Sequence, residues 1–265
     1  MSLGLNLQAD YRLSCNRPST INLSSMTLSS RALTILHQWV QSESLRKHCY
    51  AVADSMKHFA GVRGEDTAGP SSAGQLLQPE SPPITSEVNG SSWAAQPIES
   101  IGCPSGAVRA DLWEAVGLLH DMDYERHPNL ERSSTEGHPF VGVAWLRDQG
   151  WSEEICRAIL SHADYSGVSR ETPLEKTLYA VDELSGFVIA VARVRPSKSI
   201  HEVEVTAVKK KMKDKAFARA VNRDDIVRGA EELSMPLDNV IAGVITALKS
   251  DADRLGLQGS STLSS

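Results

Sequence analysis

"LLHDMDYERHP", residues 118–128, ends an apolar, helix-like run in an imidazole and a carboxylate side by side, His120 and Asp121. Solvent would account for one such pair, but the run leading into it argues otherwise. In "VRADLWEAVGLLHD", residues 108–121, Trp113, Val116 and His120 fall at i, i+3 and i+7, the spacing of one helical face. The same misplacement recurs along the chain. His48 is in register with Leu45 and Val52, His162 with Ile155 and Ile159, and Asp182 with Leu174, Leu178, Ser185 and Ile189. Ionisable groups belong on the wet face of a helix, and a carboxylate buried without a partner is costly. One His on an apolar face is more often a hydrogen-bonded core residue than a ligand. Four such coincidences on separate helices, with Asp121 beside His120, point to convergence on a metal. Imidazole nitrogens and carboxylate oxygens are what borderline and hard divalent cations take, and helical bundles build metal sites from facing helices.

Working outward, the helical period predicts an all-α fold. "RALTILHQWVQSESLRKHCYAVADSMKHFA", from Arg31, reads as one or two amphipathic helices. "HPFVGVAWLRDQG" reads as a helix with Pro at its start and Gly150 at its end. "WSEEICRAILSHADYSG" reads as another, with Ser152 as N-cap. Thr172, Pro173 and Glu175 form a capping-box signal that opens a long helix, "PLEKTLYAVDELSGFVIAVARV". Further helices are expected through "EVTAVKKKMKDKAFARAV", "RDDIVRGAEEL" and "LDNVIAGVITALKSDADRL". Residues 62–106 are dense in Gly, Pro and Ser without a sustained period, and read as a mostly disordered insertion inside one domain of residues 31–255. Residues 256–265 read as a flexible tail. Residues 1–30 are rich in Ser with a single acid, Asp10, and read as a disordered or organelle-targeting extension.

Composition narrows the function classes. The 265 residues are 41% hydrophobic and 23% charged, as in a globular protein with one substantial core. The formal charge of −6 and an aromatic content of 5% speak against general nucleic-acid binding. No apolar run is long enough for a transmembrane helix. Cys15, Cys49, Cys103 and Cys156 are scattered, so neither a thiolate zinc module nor a disulfide framework is expected. A reducing compartment follows, cytoplasmic or organellar according to the reading of the first residues.

The order of the misplaced residues resembles the HD-domain superfamily: a His, a later His-Asp doublet and a distal Asp, here His48, His120–Asp121 and Asp182. Binuclear members insert two further His between doublet and last Asp, and His138 and His162 fill those places. "HDMDYE" with "YAVDELSGFVIAVARVRPSK" is similar to a predicted-hydrolase branch of that family. The resemblance covers roughly residues 44–195. It departs from the pattern in the large insertion and at Tyr124, where some nucleotidase members carry a catalytic Glu. Asp123 and Glu125 lie close by, and neither is assigned as proton donor.

The resemblance implies a helical bundle around a central metal site and phosphohydrolase chemistry on a small phosphorylated metabolite or nucleotide. It implies one or two divalent ions (Mn, Fe, Mg, Co or Zn) and makes His120 and Asp121 catalytic, with Asp121 bridging. His48, His120, Asp121 and Asp182 would hold one ion, and His138 and His162 would complete a second site with Asp121. Lys176, Arg193, Arg195 and Lys198, near Asp182 in sequence, are candidates for binding the phosphate. The same ligand set would also serve an HD-domain di-iron oxygenase, and a non-catalytic regulatory module with a vestigial site is a third reading. His37, His58 and His201 show no partner pattern, His127 reads as a loop His with a substrate-facing group or a replacement ligand as the alternative, and "KKKMKDK" reads as charged surface.

Overall fold

The computed structural model describes residues 26–62 and 106–259, and the regular elements among them are all helical. Helix α1 spans Leu28–Trp39 and α2 spans Glu43–Val62. The run from Arg31 therefore divides in two, because the polar stretch after Val40 finds partners for its backbone elsewhere. Arg46 donates to the carbonyls of Val40 and His37. Glu125 accepts from the N–H groups of Gln41 and Ser42, both at 2.9 Å. The backbone entering α2 is thus held by a carboxylate distant in sequence, while the Ser42 hydroxyl accepts from Leu45 N at 3.4 Å in the first turn.

The order continues with α3 (Gly106–Leu119), α4 (Phe140–Asp148), α5 (Glu153–Ser161), α6 (Pro173–Arg193), α7 (Val205–Met212), α8 (Arg223–Glu232), α9 (Leu237–Ser250) and α10 (Ala252–Leu255). Helix α6 opens on the capping box read from the sequence: the Thr172 hydroxyl accepts from Glu175 N at 3.3 Å, and the Glu175 carboxylate accepts from Thr172 N at 2.8 Å. Helix α2 packs on α3, α6 and α9, and α6 also packs on α8. Val52, Met56, Trp113, Val116, Leu178, Leu184 and Val244 are among the side chains buried between them. Gly117 permits the α2–α3 approach. A Cβ there would stand 2.5 Å from the Ala53 Cα. The close contact brings the C-terminal end of α3, with His120, against the middle of α2, which carries His48.

Three expectations are revised. The helix expected over residues 204–221 stops at Met212 and a series of turns follows. The Arg223 guanidinium collects the carbonyls of Met212, Asp214, Phe217, Ala218 and Val221, an alternative to helical bonding for that stretch. The tail does not begin at 256: Leu257 is buried, and its carbonyl accepts from Ile200 N at 2.8 Å. Val62 and Gly106, the ends of the expected insertion, are helical; its residues 63–105 lie outside the described residues, as do the extension up to residue 25 and the end of the tail from 260. Among the described residues, no helix is long and apolar enough to cross a membrane.

Candidate metal centre

Five elements deliver the ionisable side chains that the stripes, the doublet and the family resemblance single out. His48 comes from α2. His120 and Asp121 follow the last turn of α3. His138 precedes α4, His162 is the C-cap of α5, and Asp182 lies in the middle of α6. They meet as two groups. In the first, the Nε2 of His48 stands 3.2 Å from the Nε2 of His120 and 3.0 Å from the Oδ1 of Asp182, and His120 Nε2 is 3.5 Å from the same oxygen. In the second, the Nε2 atoms of His138 and His162 are 3.2 Å apart. Asp121 faces both: its Oδ2 is 3.6 Å from His48 and from His120, and its Oδ1 is 3.3 Å from His138 and 3.8 Å from His162.

The donor set fits a cation. Ligand atoms sharing one divalent ion, with bonds of about 2.0–2.2 Å, stand about 3.0–3.6 Å apart. Each group offers three ligand atoms within 4.8 Å of one another, His48–His120–Asp182 and Asp121–His138–His162. The outer nitrogens strengthen the case. His120 Nδ1 donates to Gly117 O at 2.8 Å, His162 Nδ1 donates to Ile159 O, and His138 Nδ1 lies 2.7 Å from the Asp123 carboxylate. A carbonyl only accepts, so the proton of a neutral His120 or His162 ring sits on Nδ1 and the Nε2 lone pair points inward. Lone pairs facing each other at such distances repel unless positive charge lies between them.

The electrostatics carry the same demand. Burial opposes a charge on His120, but the Asp121 and Asp182 carboxylates outweigh it and raise its pKa to about 9. Burial would raise Asp121 and Asp182, yet the neighbouring imidazoles, His120 first, hold both below the usual carboxylate range. Burial, and then the charge of His138, lowers His162 to about 4, so at neutral pH its ring is an uncharged donor to a cation.

A cavity of 640 Å³ opens onto these groups. None of the four cations expected to bind phosphate lines it. Lys176 faces a separate hollow beside Arg170, Arg193 is exposed at the far end of α6, Arg195 pairs with Glu202, and Lys198 lies near Gly256 and Gln258. Asp182 and Arg193 are eleven residues apart on one helix, about 16 Å along its axis. The cations that do line the cavity are Arg132, from the α3–α4 loop, and Arg228, from α8. Glu183 lines it too; burial, and then the charge of Asp182, raises its pKa to about 7. Sequence reading passed over these residues because none lies on an apolar stripe.

The acids around the doublet also find their places. Asp123, almost wholly buried, holds the His138 ring and accepts from Gly142 N at 2.7 Å. Only a glycine leaves room there: a Cβ at 142 would sit 2.9 Å from the Asp123 carboxyl carbon. Glu125 is occupied at the start of α2. Tyr124 is half exposed, its ring edge-on to His138 and lining the cavity. His127 does not line the cavity; its carbonyl accepts from His138 N at 2.7 Å. His37 bonds the Tyr50 hydroxyl and His201 bonds Gln258.

Residues 92–186 match the family model described as the HD domain, a match that supports membership of the HD-domain superfamily. The match takes in the doublet, His138, His162 and Asp182, while His48 lies before it. An HD domain suggests metal-dependent hydrolase-type activity. The comparisons with curated proteins and with solved structures gave no match.

Proposed function

We propose that the chain is a metal-dependent phosphohydrolase with a binuclear centre, acting on a phosphate ester of a small metabolite or nucleotide. The observation that carries the reading is the position of Asp121, whose two oxygens are divided between the two His groups. His48, His120 and Asp182 would hold one ion, His138 and His162 the other, with Asp121 shared. Bound there, divalent cations supply Lewis acidity, making water a nucleophile near neutral pH and offsetting the charge of a phosphate.

The chain's own residues do the rest. Gly117 O, Ile159 O and Asp123 fix the rings so that the Nε2 atoms face inward. Asp121 and Asp182 stay ionised. Arg132 offers a guanidinium to the substrate's anion. In the overall reaction an oxygen of water bonds to phosphorus and the P–O bond to the organic group breaks. The leaving oxygen takes up a proton that water gives up, and alcohol and inorganic phosphate result.

The test is elemental analysis of chelator-free protein beside His120→Ala and His162→Ala, with phosphate release measured on the same samples. About two metals per wild-type chain, lost in part by His162→Ala and together with activity by His120→Ala, is the expected result. Full activity in His120→Ala would overturn the assignment.

A further inference from the structure

His138 stands apart from the other candidate ligands, which lie within a helix or directly follow its last turn. It belongs to the loop between α3 and α4, before Phe140 opens α4, so no helical register sets its position. Other bonds hold its backbone. His138 N donates to His127 O at 2.7 Å. Its carbonyl accepts from Asn129 Nδ2 at 3.0 Å and from the Tyr165 hydroxyl at 3.0 Å. A carbonyl oxygen has two lone pairs, and both are taken.

The partners differ in what they fix. His127 and Asn129 belong to the same loop, and Asn129 also bonds the Ser133 N–H and carbonyl. They set the shape of the loop, not its distance from the other ring of the second group. Tyr165 comes from another segment. It sits in the single 3-10 turn Asp164–Ser166 that follows His162, the C-cap of α5. Its hydroxyl therefore ties the segment carrying His162 to the segment carrying His138. The turn is braced in its turn: Asp164 accepts from Arg170 at 2.9 Å and pairs with Arg228, and Arg170 also donates to Ser161 O at 3.0 Å and to Glu232 at 2.7 Å. The two ring Nε2 atoms stand 3.2 Å apart. Metal bond lengths tolerate deviations of only about 0.2 Å, so a loop shift of about 0.5 Å is enough to spoil a shared coordination. The first group has a different support: His48, His120 and Asp182 are set by the packing of α2 on α3 and α6.

We propose that Tyr165 is a positioning residue for the second metal group. Its hydroxyl fixes the His138 backbone at the distance from His162 at which both rings reach one divalent ion, and occupancy of that group, not of the first, depends on it. This rests on the binuclear reading and adds to it a residue that acts through His138 rather than on the metal. Tyr165 also lines the cavity, so its ring forms part of the wall while its proton is committed to the His138 carbonyl.

The test titrates the chelator-stripped full chain with manganese by calorimetry, wild type beside Tyr165→Phe, with His162→Ala marking the step that belongs to the first group. Phe keeps the ring and removes the hydroxyl alone. The wild type is expected to bind in two steps. Tyr165→Phe should leave the first-group Kd unchanged and raise the second-group Kd about tenfold. Electron paramagnetic resonance of the same samples, at about two manganese ions per chain, reads the same split. The wild type should give the signal of a coupled pair, and Tyr165→Phe a larger share of isolated ions. An unchanged second-group Kd would overturn the proposal. So would equal weakening of both steps, which is what a general loosening of the fold produces. A single step in the wild type would overturn the binuclear reading, and the proposal with it.

Discussion

Asp123 is the residue on which the second His group turns. It touches no candidate ligand atom facing the centre, yet it holds the outer nitrogen of His138 at 2.7 Å and is itself fixed by Gly142 N. A carboxylate in that position sets the tautomer of the ring and raises its basicity toward a metal. Asp123→Asn keeps the shape and loses the charge. It is expected to lower metal affinity or activity about 10–100-fold, with the first group's ion retained. Titration with a metallochromic chelator reads this directly, and an unchanged affinity for the more weakly held ion would refute it. Asp54, on α2, makes a separate prediction. It pairs with Arg254 at 2.9 Å, but burial dominates and raises its carboxyl to about 7. The folded state therefore holds a proton there that the unfolded state releases near 3.8. Its contribution to stability is full below the unfolded value and is lost as pH rises toward about 7. Asp54→Asn should gain stability relative to the wild type as pH rises from about 4 to about 7, read as a relative rise in the urea midpoint. A difference independent of pH would mean that the Arg254 pair, not burial, governs the group.

At the scale of the helix, Gly117 and Glu125 show how packing converts a pattern into a site. The stripe of Trp113, Val116 and His120 tells which face of α3 is inward. It does not tell that α3 comes close enough for a Gly117 Cβ to meet the Ala53 backbone. Gly117→Ala forces the two helices apart, with an overpacking cost of about 1–3 kcal/mol. Because His120 and His48 sit on those helices, the variant should also bind metal more weakly than its loss of stability alone explains. Retained wild-type metal affinity in a destabilised Gly117→Ala protein would separate packing from the site. His48, His120, Asp121, His162 and Asp182 stand out in sequence because helical periodicity is local and a charge on an apolar stripe is conspicuous, whereas His138, outside any stripe, is reached only through the family resemblance. Arg132 and Glu183 do not stand out: one is in an irregular loop, and the other gains meaning only when the cavity forms around α6. Sequence proximity to Asp182 misled for Arg193 and Arg195, since the helix carries them away along its axis. Glu125 lies close to the doublet in sequence, and only the tertiary fold reveals that it holds the backbone entering α2.

For the molecule as a whole, the centre is where five elements are tied together, and its like charges oppose that closure. Asp121, Asp123 and Asp182 lie within one partly or fully buried cluster. A metal that binds this arrangement and not the unfolded chain stabilises the fold by RT ln(1 + [M]/Kd), about 4 kcal/mol at a thousandfold excess over Kd. For a domain of this size each kcal/mol moves the melting temperature about 2–4 °C, so stripping the metal should lower Tm by roughly 8–16 °C. The loss should be reversed by adding back a divalent ion and be strongly reduced in His120→Ala, whose first group is incomplete. Scanning calorimetry of the chelated, reloaded and variant proteins measures all three. The size of the shift follows the free metal concentration, so a titration yields Kd without any substrate. A Tm indifferent to chelation in a protein shown to carry metal beforehand would mean that the helices hold the centre open by their own packing, and that the cluster's charges are offset by protonated His120 rather than by a cation.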